Sequence, residues 1–327
     1  MSGPRSLTLV LVVATSGVGS LPGCRPAAPS GPARPAAVPA MTTSTSALRD
    51  WVLYPEVASD EAVAKCGRLV SAAPNVTEIC CALGLAGCLV GRTRYCTYPP
   101  SVERVPSIGA LNDLNVEALL GLAPDLVLVS GASRAITERL SRLGLRFETA
   151  PDVSLADLFA GIEEVGALTG RKETARLLME GLHTDLATVA ARLACRPKVR
   201  VLLLTAPLPD PPTRVDAAGP GSFYDDLLRL AGHANAVEAR AGAFAPLALE
   251  FVLRADPDVI IELVADPSLR PAGDADAIRV WSKVGSIKAV TEGRVHVLVG
   301  AQYFVLGPRI ARTFEALCEL ISGDGHE

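Results

Sequence analysis

Aromatic residues make up only 4% of this 327-residue chain, so a site that works by stacking must draw on Trp51, Trp281, five Tyr and seven Phe. Positive charge is concentrated nowhere. Lys and Arg total 31 against 35 Asp and Glu, a net charge of −4, and no basic block could neutralise a run of phosphates, which excludes nucleic acid as a partner. The eight cysteines form no C-x-x-C pair and meet no histidine cluster, so no structural metal site is expected, and eight are too few for a disulfide scaffold. None of G-x-S-x-G, Walker A, G-x-G-x-x-G or H-E-x-x-H occurs, which removes the commonest signatures of an enzyme. Beyond the amino terminus no segment reaches the ~18 uninterrupted apolar residues of a spanning helix.

What is present is a chain that can pack. It is 49% hydrophobic and 20% charged, and long enough for two domains of ordinary size. The first residues hold one charge, Arg5, and the apolar run Leu7 to Ala14, which suits the core of a signal peptide. Ser20-Leu21-Pro22-Gly23-Cys24 resembles the bacterial lipobox, in which the cysteine is lipidated and becomes the new first residue. The alternative is an ordinary cysteine behind a secretory signal. Arg25 to about Ser46 is rich in Ala, Pro, Thr and Ser with no hydrophobic period, as in an extended tether. Residues 1–23 are therefore expected to be a signal peptide and 24–50 a lipidated Cys24 with its tether. This places the protein in the cell envelope, periplasmic or otherwise extracytoplasmic, on a membrane through its lipid. If Cys24 is acylated, seven cysteines remain; Cys80, Cys81 and Cys88 either pair locally or pack as small apolar residues in a helix and the turn after it.

From Arg68 short apolar runs alternate with helical periods, which predicts an α/β fold of two similar lobes with mainly parallel sheets. The first lobe is expected over 51–153, linking helices over 154–195 and the second lobe over 196–327. Asn75 to Glu78 and Ser154 to Asp157 read as capping boxes. Ala175, Leu178, Leu182, Leu186, Val189 and Leu193 recur at helical spacing, as in a long spine joining the lobes. Residues 115–128 and 248–261 share a register in which Glu117 matches Glu250 and Pro124-Asp125 matches Pro257-Asp258. Duplicated lobes place a cleft between them.

Residues 68–78, 91–100, 105–109 and 124–128, then 219–228 with 230–235 and Gly307-Pro308-Arg309-Ile310, resemble the helical-backbone (class III) substrate-binding proteins of ABC importers. That family takes up cobalamin, haem and ferric siderophores, and the segment Tyr95 to Pro100 most resembles its cobalamin-binding members. The resemblance implies a monomeric binding protein, not an enzyme, with no intrinsic cofactor. It would deliver a corrinoid, or alternatively haem or a ferric siderophore, to a permease dimer with its ATPase. A non-transport sensor or an enzyme on the same fold is the remaining alternative.

By motif position the resemblance implies that Glu117 and Glu250 dock on arginines of the permease, although a negative charge in a first helical turn is stabilising without any partner. It also places Tyr95, Tyr98, Leu111, Phe244 and Tyr303 at the ligand. Tyr95 and Tyr98 have a second reading as anchors of a Pro-rich loop. Phe223 and Tyr224 are expected to cap a helix and enter the core. Arg94 and Arg309 either meet ligand carboxylates or stay solvated. His183, His233 and His296 are scattered and make no metal set.

Overall fold

The computed structural model describes residues 67–110, 113–131, 134–193 and 197–323. The expected signal peptide, the lipidated Cys24, the tether and Leu111 lie outside the described residues.

The first lobe runs β1 (Leu69–Ser71), α1 (Pro74–Ala82), β2 (Leu89–Arg92), β3 (Gly109–Ala110), β4 (Asp113–Leu114), α2 (Val116–Gly121), β5 (Leu126–Ser130), α3 (Arg134–Arg142) and β6 (Phe147–Ala150). Its main sheet has the order β2-β1-β5-β6, parallel throughout. Every residue of β1 and β5 is buried. That is the pattern of a parallel sheet covered on both faces, and it explains why these strands read as apolar runs rather than alternating ones.

The capping box expected at Asn75 does not form. Pro74, which has no N–H to satisfy, takes the first helical position, and Ala73 becomes the N-cap. Asn75 and Glu78 are thereby freed for other partners. Ser154 and Asp157 do form a capping box, opening α4 (Leu155–Leu168). The spine α5 (Lys172–Leu193) follows, 22 residues long and so ~33 Å from end to end. Ala175, Leu178, Leu182, Leu186 and Val189 are all buried along it, as their spacing predicts.

The second lobe comprises β7 (Arg200–Leu204), β8 (Arg214–Ala218), α6 (Phe223–Leu230), β9 (Ala234–Asn235), β10 (Phe244–Ala248), α7 (Leu249–Ala255), β11 (Val259–Val264), α8 (Asp274–Trp281), α9 (Lys288–Thr291), β12 (Val295–Val299) and α10 (Ile310–Ser322). Its strands lie in the order β10-β8-β7-β11-β12, with β9 also paired to β7. β7, β11 and β12 are parallel, whereas β8 runs antiparallel to both β7 and β10. This edge is an addition to the parallel plan read from the sequence.

The lobes repeat one another in backbone detail. The two non-glycine residues with positive φ among those described are Ala123 (42°) and Asp256 (38°), at matching positions of the repeat. Each follows its helix and turns the chain into the next strand. Asp125 then accepts the backbone N–H of Arg68 at 2.7 Å, and Asp258 that of Arg200 at 2.7 Å. Each arginine returns its guanidinium to a carbonyl of the bend, Arg68 to Leu122 at 2.8 Å and Arg200 to Asp256 at 2.7 Å. The arginine half of this device was not apparent in the sequence.

One apolar cluster extends from Leu69 and Ile79 in the first lobe through the spine to Leu203, Phe314 and Ile321 in the second. Smaller clusters fill the outer face of each sheet. Among the cysteines, Cys80, Cys81, Cys96 and Cys318 are free and buried. Cys88 corrects the expectation of a small apolar residue, since it is disulfide-bonded, and such bonds persist in oxidising compartments. Burial pushes the Cys81 and Cys318 thiols up to about 12 and raises Cys80 as well. These thiols should therefore resist alkylation at pH 8 in the native protein and react fully in denaturant. Rapid native labelling, counted by intact mass, would show that the helices carrying them open.

Candidate functional site

All four parallel strands of the first lobe end at one cleft. β1 delivers Ala72, Ala73, Pro74 and Asn75; β2 leads to Thr93 and Tyr95; β5 ends in Ser130 and Gly131; and Asp152 stands just beyond β6. The opposite wall comes from the second lobe, with Phe223 at the start of α6 and Phe304, Val305 and Leu306 between β12 and α10. The cleft volume is about 490 Å³, within the range of small-molecule sites. Ligands of parallel α/β sheets sit at the carboxyl ends of strands, as here.

Polar groups cluster in the cleft. The Asn75 side-chain amide donates to Ser130 Oγ at 2.7 Å, and Asp152 lines the same wall. Burial holds the Asp152 carboxyl above the usual carboxylate range, and the neighbouring Ser130 hydroxyl draws it partly back. No Lys, Arg or His is among the described lining residues, so Asp152 is the charged group of the cleft.

The expected ligand residues fall into different places. Tyr95 lines the cleft and is 60% exposed, with the Arg94 guanidinium 5.3 Å from its ring centroid. Arg94 itself is exposed and outside the lining. Tyr98 lies beneath the Arg309 guanidinium, 3.8 Å from its ring centroid. Arg309 grips Glu78 of α1 with two hydrogen bonds, Nε to Oε2 at 3.0 Å and Nη2 to Oε1 at 2.5 Å. This ion pair joins the lobes, so Arg309 is partnered within the chain rather than solvated, with the Tyr98 ring packed beneath it. Phe244 is 48% exposed on the edge strand β10, edge-on to Tyr224 at 6.5 Å. Tyr303 packs against the core, and its carbonyl accepts from Tyr224 Oη at 2.7 Å. Its neighbour Phe304 takes the lining position instead. Phe223 and Tyr224 are buried as expected, but Phe223 also faces the cleft.

Sequence reasoning missed Asn75, Ser130 and Asp152 as cleft residues. The available signal was their place just inside or beyond the carboxyl ends of predicted strands and turns. Glu117 and Glu250 are exposed in the first turns of α2 and α7 and make no ion pair among the described residues.

A two-lobed α/β body whose strand ends and loops enclose a ligand-sized cleft is the build of a substrate-binding protein. The chain belongs to the periplasmic binding protein family, whose model matches residues 69–300. It is 28% identical over 265 residues to the protein named uncharacterized ABC transporter substrate-binding lipoprotein YvrC of Bacillus subtilis, covering 79% of this chain and 80% of that one. Over 196 residues it is 24% identical to the vitamin B12-binding protein of Salmonella typhimurium, covering 59% and 71%. Among solved structures it is similar to the periplasmic heme-binding protein BhuT in complex with two hemes, with a TM-score of 0.67, 25% identity, and 79% and 98% of the chains covered. The fold is shared with the vitamin B12-binding protein BtuF of Vibrio cholerae, at a TM-score of 0.66, 21% identity, and 80% and 99% coverage. Members of this family bind solutes outside the cytoplasm and hand them to ABC importers. Among the described residues, no helix is long and apolar enough to cross a membrane and no cluster could hold a metal ion.

Proposed function

We propose that this protein is a lipid-anchored capture protein for a corrinoid, held on the membrane through Cys24 and docking on an ABC permease through Glu117 and Glu250. The observation that carries the ligand class is the absence of a cation from the described lining of the cleft. Haem and carboxylate siderophores present acid groups that a binding site meets with Arg or Lys. The rim of a corrinoid carries neutral amides, which donate hydrogen bonds to a carboxylate such as Asp152 and to Ser130. The apolar faces of Phe223, Phe304 and Leu306 suit its flat macrocycle. The vitamin B12-binding relatives support the same choice.

Haem or a ferric siderophore is the second reading, favoured by one observation. Tyr95 is exposed at the cleft, and a phenol oxygen is a competent ligand for ferric iron. Spectroscopic titration of the purified chain with cyanocobalamin, haemin and a ferric siderophore separates them. Saturation by cyanocobalamin at micromolar or lower concentration is expected. Haemin binding that produces a tyrosinate-type spectrum, lost in Tyr95→Phe, would establish the second reading. Asp152→Asn should weaken cyanocobalamin binding roughly tenfold, the effect of a hydrogen bond to a charged acceptor. Unchanged affinity would remove Asp152 from the site.

A further inference from the structure

Leu120 and Leu253 are exposed at 45% and 38%. They occupy the same position of the internal repeat. The register that matches Glu117 to Glu250 matches Leu120 to Leu253. In each helix the leucine stands three residues after the glutamate, so the two side chains share one face a turn apart. The intervening Leu119 and Val252 are fully buried and fix each helix on its own lobe. At 100° per residue that anchoring turns both members of each Glu–Leu pair outward. Leu253 also rests against the backbone of Gly285, where a Cβ would come within 3.0 Å of its Cδ2, so its place on the surface is supported from one side.

A single exposed leucine needs no explanation. Two at matched positions, each beside an exposed carboxylate with no ion-pair partner among the described residues, are not accounted for by packing within either lobe. Charge complementarity selects a partner that offers a basic group beside an apolar socket, twice over. We infer that each lobe docks on the permease through a Glu–Leu pair, in which the carboxylate guides encounter and the leucine, buried in the interface, holds the complex. This rests on the docking reading of Glu117 and Glu250 given above.

The two halves of each pair leave different kinetic signatures. Exposed charges act mainly on association rate and salt dependence, whereas buried apolar anchors act on dissociation. The full lipidated chain would be measured by surface plasmon resonance against the permease–ATPase complex of its own host in nanodiscs, at two salt concentrations. Leu120→Ser with Leu253→Ser is expected to speed dissociation by roughly a hundredfold, about tenfold for each leucine, with the salt dependence unchanged. Leu→Met at both sites should restore slow dissociation. Ligand affinity should match the parent, since neither leucine lines the cleft. Parental dissociation in the Ser variant, with binding lost in Glu117→Gln, Glu250→Gln, would overturn the inference and leave the docking reading standing. If neither pair of substitutions affects binding, both fail. If the leucine variants instead abolish self-association in sedimentation while permease binding persists, the patch belongs to a second copy of the chain and the inference is overturned.

Discussion

Replacing Arg309 with Ala should destabilise the protein by about 3–5 kcal/mol at neutral pH, and by much less near pH 4.5. Glu78 is only 2% exposed, and the Arg309 guanidinium supplies both its hydrogen bonds and its countercharge. Without it the carboxylate is buried alone. The pH dependence follows from the direction in which Glu78 is shifted. Burial holds its carboxyl above the usual range, while the hydrogen bond and charge of Arg309 pull it back. Removing Arg309 takes away that pull, so the folded state holds the proton to higher pH. A group raised in the folded state contributes stability that is intact below its unfolded value of ~4.3 and is lost as pH rises through the folded value. The deficit of Arg309→Ala should therefore be smallest in acid and complete at neutrality. Adding Glu78→Gln should recover much of the loss at pH 7.5. Urea midpoints at pH 4.5 and 7.5 read the difference. An equal deficit at both would mean that Arg309 acts by packing on Tyr98 rather than as a countercharge.

Glu262→Ala should cost about 5 kcal/mol, the largest loss expected from one side chain here. Glu262 is fully buried in β11 and collects Arg270 Nε at 2.7 Å, Trp281 Nε1 at 2.9 Å and the Leu208 backbone N–H at 3.0 Å. Alanine leaves all three donors without their acceptor, one of them a buried guanidinium. Glu262→Gln keeps an acceptor but not the charge, and should cost about half as much. Glu262→Leu paired with Arg270→Met removes both charges and should lie closer to the parent than the alanine variant does. Thermal midpoints rank the three variants. An alanine variant as stable as the parent would show that water replaces the carboxylate.

The parts of this molecule that were legible in the sequence are those where one periodicity dominates. Leu178, Leu182 and Leu186 announce the spine because helical spacing and burial coincide there, and Val259 to Val264 announce a strand because both faces are covered. β8 and β10 were not legible. Arg214-Val-Asp-Ala-Ala and Phe244-Ala-Pro-Leu-Ala include residues with weak strand preference, and they pair antiparallel at a sheet edge where tertiary context decides. The cleft was legible as a place but only partly as a set of residues. Tyr95 was found from its loop, whereas Phe304 was missed in favour of the adjacent Tyr303, because a short 3-10 turn decides which ring faces inward. Arg309 was read as a ligand contact or a solvated side chain, and its pairing with Glu78 was not legible, since Glu78 lies 231 positions away and its carboxylate reads locally as a helix cap.

The unbroken apolar cluster through β1, the spine and α10 has a consequence for how such a protein can change. Its halves repeat one plan, yet neither owns a complete interior, so a half cannot be lifted out and exchanged as a cassette. A chimera that imports the second lobe of a relative must bring along α4, α5 and α10, or build their mutual seams afresh. New ligand preference is therefore more accessible through the rim loops than through wholesale recombination.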